Sequence, residues 1–112
     1  MRSIMHSEKG MCYVCSELFD DFRIKETEEH HIVFGTAQRK LSDRYGLTVH
    51  LCHDHHRFGK EAVHRNVITD RWLKERGQRA FETEYPELSF REIFGINFDP
   101  WSEDSKRRTQ GR

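Results

Sequence analysis

This sequence predicts a small α+β domain: two short strands, a helical insert between them, and supporting helices towards the C-terminus. Three observations point there. Leu47 to Leu51 alternates apolar and polar residues with the period of a half-buried strand, and His30 to Phe34 holds the β-branched pair Ile32 and Val33. Between them, Thr36 and Gly46 are the residue types that start and stop a helix. Beyond them, Ile68, Trp72, Leu73, Ala80, Phe81 and Tyr85 form an apolar stripe near helical spacing.

Taken in order, residues 1–10 are polar and read as a loose start. Met11 to Phe22 reads as a turn around Cys12 and Cys15, then a short apolar-containing segment, and 23–29 as a polar connection. A strand is predicted over His30–Phe34, ending at Gly35. A helix follows over 37–45, with Thr36 as N-cap and Gly46 as C-cap. The second strand, Leu47–Leu51, leads directly into Cys52. Residues 52–65 are predicted to hold a helical turn interrupted near Gly59. Asn66 caps a helix to about Tyr85, stopped by Pro86 and weakened in its middle by Gly77. Ser89-Phe-Arg-Glu92 fits a capping box for a short helix ending at Gly95, and from Asp99 the chain reads as a polar tail.

With 112 residues and 35% apolar content, the chain has room for one domain with a thin core, and small domains of this kind often add a metal or disulfide staple. Three cysteines, an odd number, argue against a closed disulfide framework. The polar N-terminus does not look like a secretory signal, and no stretch approaches the roughly 20 apolar residues of a membrane helix. The expected setting is a reducing cytoplasm, where paired cysteines more often hold metal. Net charge is zero, but it is unevenly spread. Residues 16–29 carry six acids against Arg23 and Lys25 and read as a solvated acidic loop. Residues 36–65 carry six Lys and Arg against Asp43, Asp54 and Glu61.

The chemistry gathers in two places. Cys12-x-x-Cys15 and Cys52-x-x-His55 supply four ligands of the types, and at the spacing, of a tetrahedral structural zinc site. Seven of the eight histidines fall between residues 30 and 64. Once His55 is assigned to zinc, His30, His31, His56 and His64 remain as candidates for a second centre. Adjacent residues on a strand point to opposite faces, so His30 and His31 should differ in role, one binding metal and the other taking a proton from water. His56 adjoins a zinc ligand and would be held in place by it. His64 lies eight residues on, about two turns away if the segment is helical. The bland alternative is that these histidines only support the zinc site or lie on the surface.

Cys12-x-x-Cys15, Glu29-His-His-Ile32 and Leu51-Cys-x-x-His-His56 together resemble the HNH nucleases of the His-Me finger superfamily. The chain is most similar to small phage-type members, including the recombination-enhancement (Ref-like) proteins, over roughly residues 11–66. That resemblance implies a zinc-stabilised ββα-metal fold; with the supporting helices the domain is expected over 11–98, between a flexible 1–10 and a disordered polar tail over 99–112. It places His31 as general base, His30 in a metal-ligand position often held by Asp, and His56 as the motif's final metal-binding histidine. Cys52 and His55 take the second zinc pair, and His64 is a further ligand candidate. The motif's middle Asn is missing here; Gln38 is the nearest amide and Asp43 the other polar candidate for orienting the base.

The implied reaction is hydrolysis of a DNA phosphodiester, assisted by a catalytic divalent metal (Mg²⁺, Mn²⁺ or Zn²⁺) beside the structural Zn²⁺. An all-histidine ligand set leans towards Mn²⁺, Ni²⁺ or Zn²⁺ over Mg²⁺. Arg39, Lys40, Arg57, Lys60 and Arg65 are the candidate DNA-phosphate contacts, with Lys106-Arg107-Arg108 as a weaker electrostatic addition. A recombinase or another phage or host protein is the further partner, and a bacterial host cytoplasm the setting if the chain is phage-encoded. The competing expectation is a catalytically weak or inactive zinc-stabilised module that binds DNA or a protein.

Overall fold

A computed structural model describes residues 2–102. The chain runs α1 (Tyr13–Phe19), β1 (Thr27–His31), α2 (Thr36–Tyr45), β2 (Thr48–Cys52), a π-helical turn (Asp54–Phe58), α3 (Val67–Glu84) and α4 (Phe90–Phe94). It is a small mixed α+β domain whose sheet has two antiparallel strands, paired from Thr27↔Cys52 to His31↔Thr48.

The register decides what β1 presents. Directly opposed residues of an antiparallel pair share a face, so Glu28 and His30 lie with their partners Leu51 and Val49. Val49 and Leu51 are core residues, which is why His30 is only 2% exposed. Glu29 and His31 take the opposite face. The first strand starts earlier than its β-branched residues suggest. Ile32 and Val33 lie beyond it in the core, with Ile32 N–H donating to Leu47 O at 3.0 Å. The acidic stretch is correspondingly not one solvated loop, because Glu28 and Glu29 are strand residues.

The caps follow local chemistry. Asn66 accepts from the Ile68 and Thr69 amides at the start of α3, and Ser89 accepts from Glu92 N–H at the start of α4. Gly46 closes α2 at φ 73°, and a Cβ there would collide with the Arg2 carbonyl. The N-cap of α2 is Gly35, with Thr36 as the first helical residue. Ser42 ties α2 to the chain after β1, donating to Val33 O at 2.7 Å and accepting from Val33 N–H at 3.2 Å.

Helix α3 lies over the sheet end. Leu73 and Phe81 are fully buried, and Phe81 sits at the centre of an aromatic cluster with Tyr45, Tyr85, Phe90 and Phe94. Gly77 is not merely a weak point. A Cβ there would stand 2.9 Å from Ile32 Cγ2, so the helix approaches the core at that residue because it has no side chain. Ile68, assigned to the buried stripe by spacing, is 77% exposed at the helix start.

The ends also differ from expectation. Residues 3–7 lie along β2: Ser3 Oγ donates to Thr48 O, Ile4 N–H to Gly46 O and His50 N–H to Ser7 Oγ, while Met5 is buried. At the other end, Asp99 and Ser102 are buried, and Asp99 receives Arg79 at 3.1 Å. The remainder of that tail, including Lys106, Arg107 and Arg108, lies outside the described residues. Among the described residues no helix is long and apolar enough to cross a membrane.

Candidate metal centres

Three elements bring the first cluster together. Cys12 is the N-cap of α1, its sulfur accepting from Cys15 N–H at 3.4 Å, so the two-residue spacing folds both thiols onto one helix start. Cys52 ends β2, and His55 lies in the π-helical turn that follows. Their donor atoms stand 3.9 Å apart for Cys15 Sγ and Cys52 Sγ, and 3.3, 3.5 and 3.7 Å from His55 Nδ1 to Cys15, Cys52 and Cys12. With Zn–S near 2.3 Å and Zn–N near 2.0 Å, a tetrahedral site has edges of about 3.8 Å (S···S) and about 3.5 Å (S···N). The cluster therefore has the dimensions of a structural metal site and can bind an ion such as zinc. Burial pushes the Cys12 thiol up to about 12, so binding an ion there requires displacing its proton. Phe19 stacks on the His55 ring, 5.5 Å between centroids and 7° from parallel, fixing its plane.

The second cluster is His30, His56 and His64, whose ligand nitrogens all lie within 4.8 Å of one another. Ring centroids are 4.8 to 5.2 Å apart, and His56 Nε2 meets His64 Nε2 at 3.2 Å. Two nitrogens on one tetrahedral ion stand about 3.3 Å apart for metal–nitrogen bonds near 2.0–2.1 Å. His64 reaches this place differently from the helical spacing expected. The chain turns over Gly59–Ala62 and runs back beside the π-helical turn, with Val63 N–H on His55 O and His64 N–H on His56 O. Short π-helical turns recur at functional sites. Here the turn sends consecutive residues, His55 and His56, to two different centres.

Two features make the trio able to hold a metal ion. His30 Nε2 is buried with no hydrogen-bond partner, which native interiors seldom tolerate. His56 Nδ1 contacts Glu28 Oε1 at 2.7 Å, so Nδ1–H donates to the carboxylate and the Nε2 lone pair faces the trio. A carboxylate behind a histidine is the usual support of a metal-binding imidazole. Burial lowers the His30 imidazole to about 3, helped by His56, His64, His31 and Lys74. His64 is lowered too, first by burial and then by His56. Both rings are therefore neutral and able to coordinate at pH 7.

His31 faces a different set. Its Nε2 lies 2.7 Å from Asp43 Oδ1 on α2 and 4.0 Å from Glu29 Oε1, and its side chain is 10% exposed. Nε2–H donates to Asp43 and leaves Nδ1 as the proton acceptor. Gln38, expected to orient this histidine, instead donates its amide to Phe94 O at 2.8 Å. Asp43 contacts the histidine because it lies on the α2 turn facing β1, whereas Gln38 faces α4.

Of the expected phosphate contacts, Arg39, Lys40, Arg57, Lys60 and Arg65 are all exposed. Arg57 lies close enough to lower both His64 and Glu28. Arg65 is partly committed, donating to Phe58 O at 2.5 Å.

No family model, curated protein or solved structure matches this chain.

The site includes two residues that sequence reasoning passed over. Glu28 sat inside an acidic run, although its two-residue offset from His30 placed both on one strand face. Lys74 stands 4.5 Å over the Phe34 ring, which itself contacts His30 and His64, and no sequence spacing announces it.

Proposed function

We propose that the protein is a metal-dependent DNA endonuclease of the HNH type. The observation that carries this reading is the division of labour at consecutive residues: His30 joins an imidazole trio with an unpartnered buried nitrogen, while His31 is held by a carboxylate on the opposite face. Metal-assisted hydrolysis needs a ligand set beside a separate, oriented base.

His30, His56 and His64 would hold the catalytic divalent ion, with Glu28 fixing the tautomer of His56. Bound there, the ion supplies Lewis-acid stabilisation of charge developing on the phosphate and the leaving 3′ oxygen. His31 takes the proton from the attacking water through Nδ1, and Asp43 holds the ring and stabilises the imidazolium that results. The new bond forms between the water oxygen and phosphorus as the bond to the 3′ oxygen breaks. Arg39, Lys40, Arg57 and Lys60 supply salt-sensitive contacts to the phosphate backbone. Cys12, Cys15, Cys52 and His55 hold structural zinc and thereby the turn carrying His56. The cellular setting would be a cytoplasm, with a recombinase or other phage or host protein as partner.

Zero net charge and the commitment of Gln38 to α4 favour a second reading, an inactive zinc-stabilised module that binds DNA or a protein. Supercoiled plasmid nicking with Mg²⁺ or Mn²⁺ separates the two. The endonuclease should nick, and His31→Ala should lose about 10²–10⁴-fold in rate while keeping its affinity for DNA. Equal nicking by both removes the base assignment, and binding without nicking by the wild type supports the module.

A further inference from the structure

We propose that Lys25 is a charge-compensating residue of the four-ligand zinc centre, its ammonium group held on the Cys15 sulfur so that it stabilises the thiolate and slows loss of the metal. The inference rests on the zinc reading of that cluster and is independent of nuclease activity.

Lys25 Nζ donates to Cys15 Sγ at 2.9 Å, and also to Asp21 Oδ2 at 2.7 Å. Asp21 is itself gripped by Arg23 through two side-chain donors, at 2.9 and 2.7 Å. The backbone fixes both ends of this arrangement. Lys25 N–H donates to Gly10 O, and Asp21 N–H to Cys15 O. The ammonium is thus positioned from several sides over one sulfur, and its side chain is only 24% exposed.

Electrostatics supplies the reason. Three thiolates around a dication leave one net negative charge, and Cys15 is only 4% exposed, so water solvates it poorly. An ammonium at hydrogen-bonding distance replaces that lost solvation. Asp21 and Arg23 cancel each other's charge, so the zinc with its three sulfurs, Lys25, Asp21 and Arg23 is neutral as a unit. The centre is also approachable from outside. A cavity of about 560 Å³, lined by Cys15, Cys52, His55, Phe19, Asp21 and Lys25, opens beside it. A chelator entering there faces Cys15, Cys52 and His55 together, and Lys25 lies on the Cys15 wall of that opening. An ordinary surface ion pair between Lys25 and Asp21 would account for the second contact but not for the first.

The test compares the zinc-loaded full chain with Lys25→Met, Lys25→Arg and the exposed control Lys9→Met. After each is shown to hold one zinc, metal transfer to EDTA is timed at pH 7.5. Outer-shell partners of metal ligands are worth about 10–100-fold in affinity, so Lys25→Met should release zinc about 10–100-fold faster, while Lys25→Arg and Lys9→Met stay within about twofold of wild type. In the cobalt-substituted protein, the sulfur-to-metal charge-transfer band should move to longer wavelength in Lys25→Met and return in Lys25→Arg. Lys25→Gln, which keeps a neutral donor at this position, should show a smaller change in the same direction and serves if Lys25→Met misfolds. Wild-type release rates and an unmoved band in folded Lys25→Met and Lys25→Gln would overturn the proposal. A wild-type chain that holds no zinc would overturn the zinc reading and this inference together.

Discussion

The buried imidazole of His30 makes a pH prediction that can be worked out in full. In the folded chain, burial above all, helped by the neighbouring His56, His64, His31 and Lys74, holds this histidine neutral down to about pH 3, against an ordinary value of 6.5. Between those two values the unfolded chain binds a proton that the folded chain refuses, so stability must fall as pH falls below 6.5. The slope is about 1.4 kcal/mol per pH unit, so acidification from pH 7.5 to 5.0 should remove about 2 kcal/mol through His30 alone. The result is insensitive to the depth of the shift, because only the unfolded-state proton titrates in that window. The assay is urea unfolding at pH 7.5 and 5.0 of the chain with one equivalent of zinc and no other divalent ion, compared with His30→Gln. Zinc-ligand protonation affects both proteins, so the difference between their pH dependences isolates His30. The wild type should lose about 2 kcal/mol more than the variant. Identical losses would show that the folded state accepts the proton, and the account of a buried neutral ligand would fail.

Glu28→Gln should weaken Mn²⁺ binding at the histidine trio by about 10–100-fold, read by calorimetric titration, and leave the zinc content at one per chain. The Glu28 carboxyl is held below the usual carboxylate range by its bond to His56, so wild-type Mn²⁺ affinity should also fall in acid as this partner protonates. Gly77→Ala should gain about 1 kcal/mol in helix propensity but lose about 1–3 kcal/mol to overpacking against Ile32, for a net loss near 1 kcal/mol. Its melting temperature should fall by several degrees; a rise would mean that α3 moves off the core freely. Cys52→Ser should lose its zinc and its cooperative unfolding, since structural zinc is worth about 10–16 kcal/mol in small finger peptides, comparable to the whole stability of a domain. A folded, zinc-loaded Cys52→Ser would remove Cys52 from the site.

Much of the frame was legible because it rests on short-range chemistry. Asn66 and Ser89 cap their helices as their side chains dictate, and Gly46 takes the left-handed conformation that ends α2. The two ligand pairs at 12/15 and 52/55 also converge as their spacing implied. What was not legible depends on contacts between distant segments. The strand boundary at Thr27 is set by pairing with Cys52, which β propensity within residues 27–34 does not register. Residues 3–7 carry no pattern of their own and are ordered by the backbone groups of Gly46, Thr48 and His50. Gly77 looks like a flaw in a helix until Ile32 is placed beneath it. Asp43 and Gln38 were both candidates to hold His31. The rotation of α2 against α4 separates them, and a one-dimensional motif does not encode that rotation.

The central claim is that residues 29–64 serve two separate metal centres, one closing the fold and one available for reaction. Native mass spectrometry of the full chain, loaded with zinc and then titrated with Mn²⁺, tests it most directly. The account predicts one zinc that survives dialysis and one further exchangeable ion, with the second lost and the first kept in His64→Ala. A chain that never takes up a second ion, or one whose second ion is indifferent to removal of His64, would contradict it.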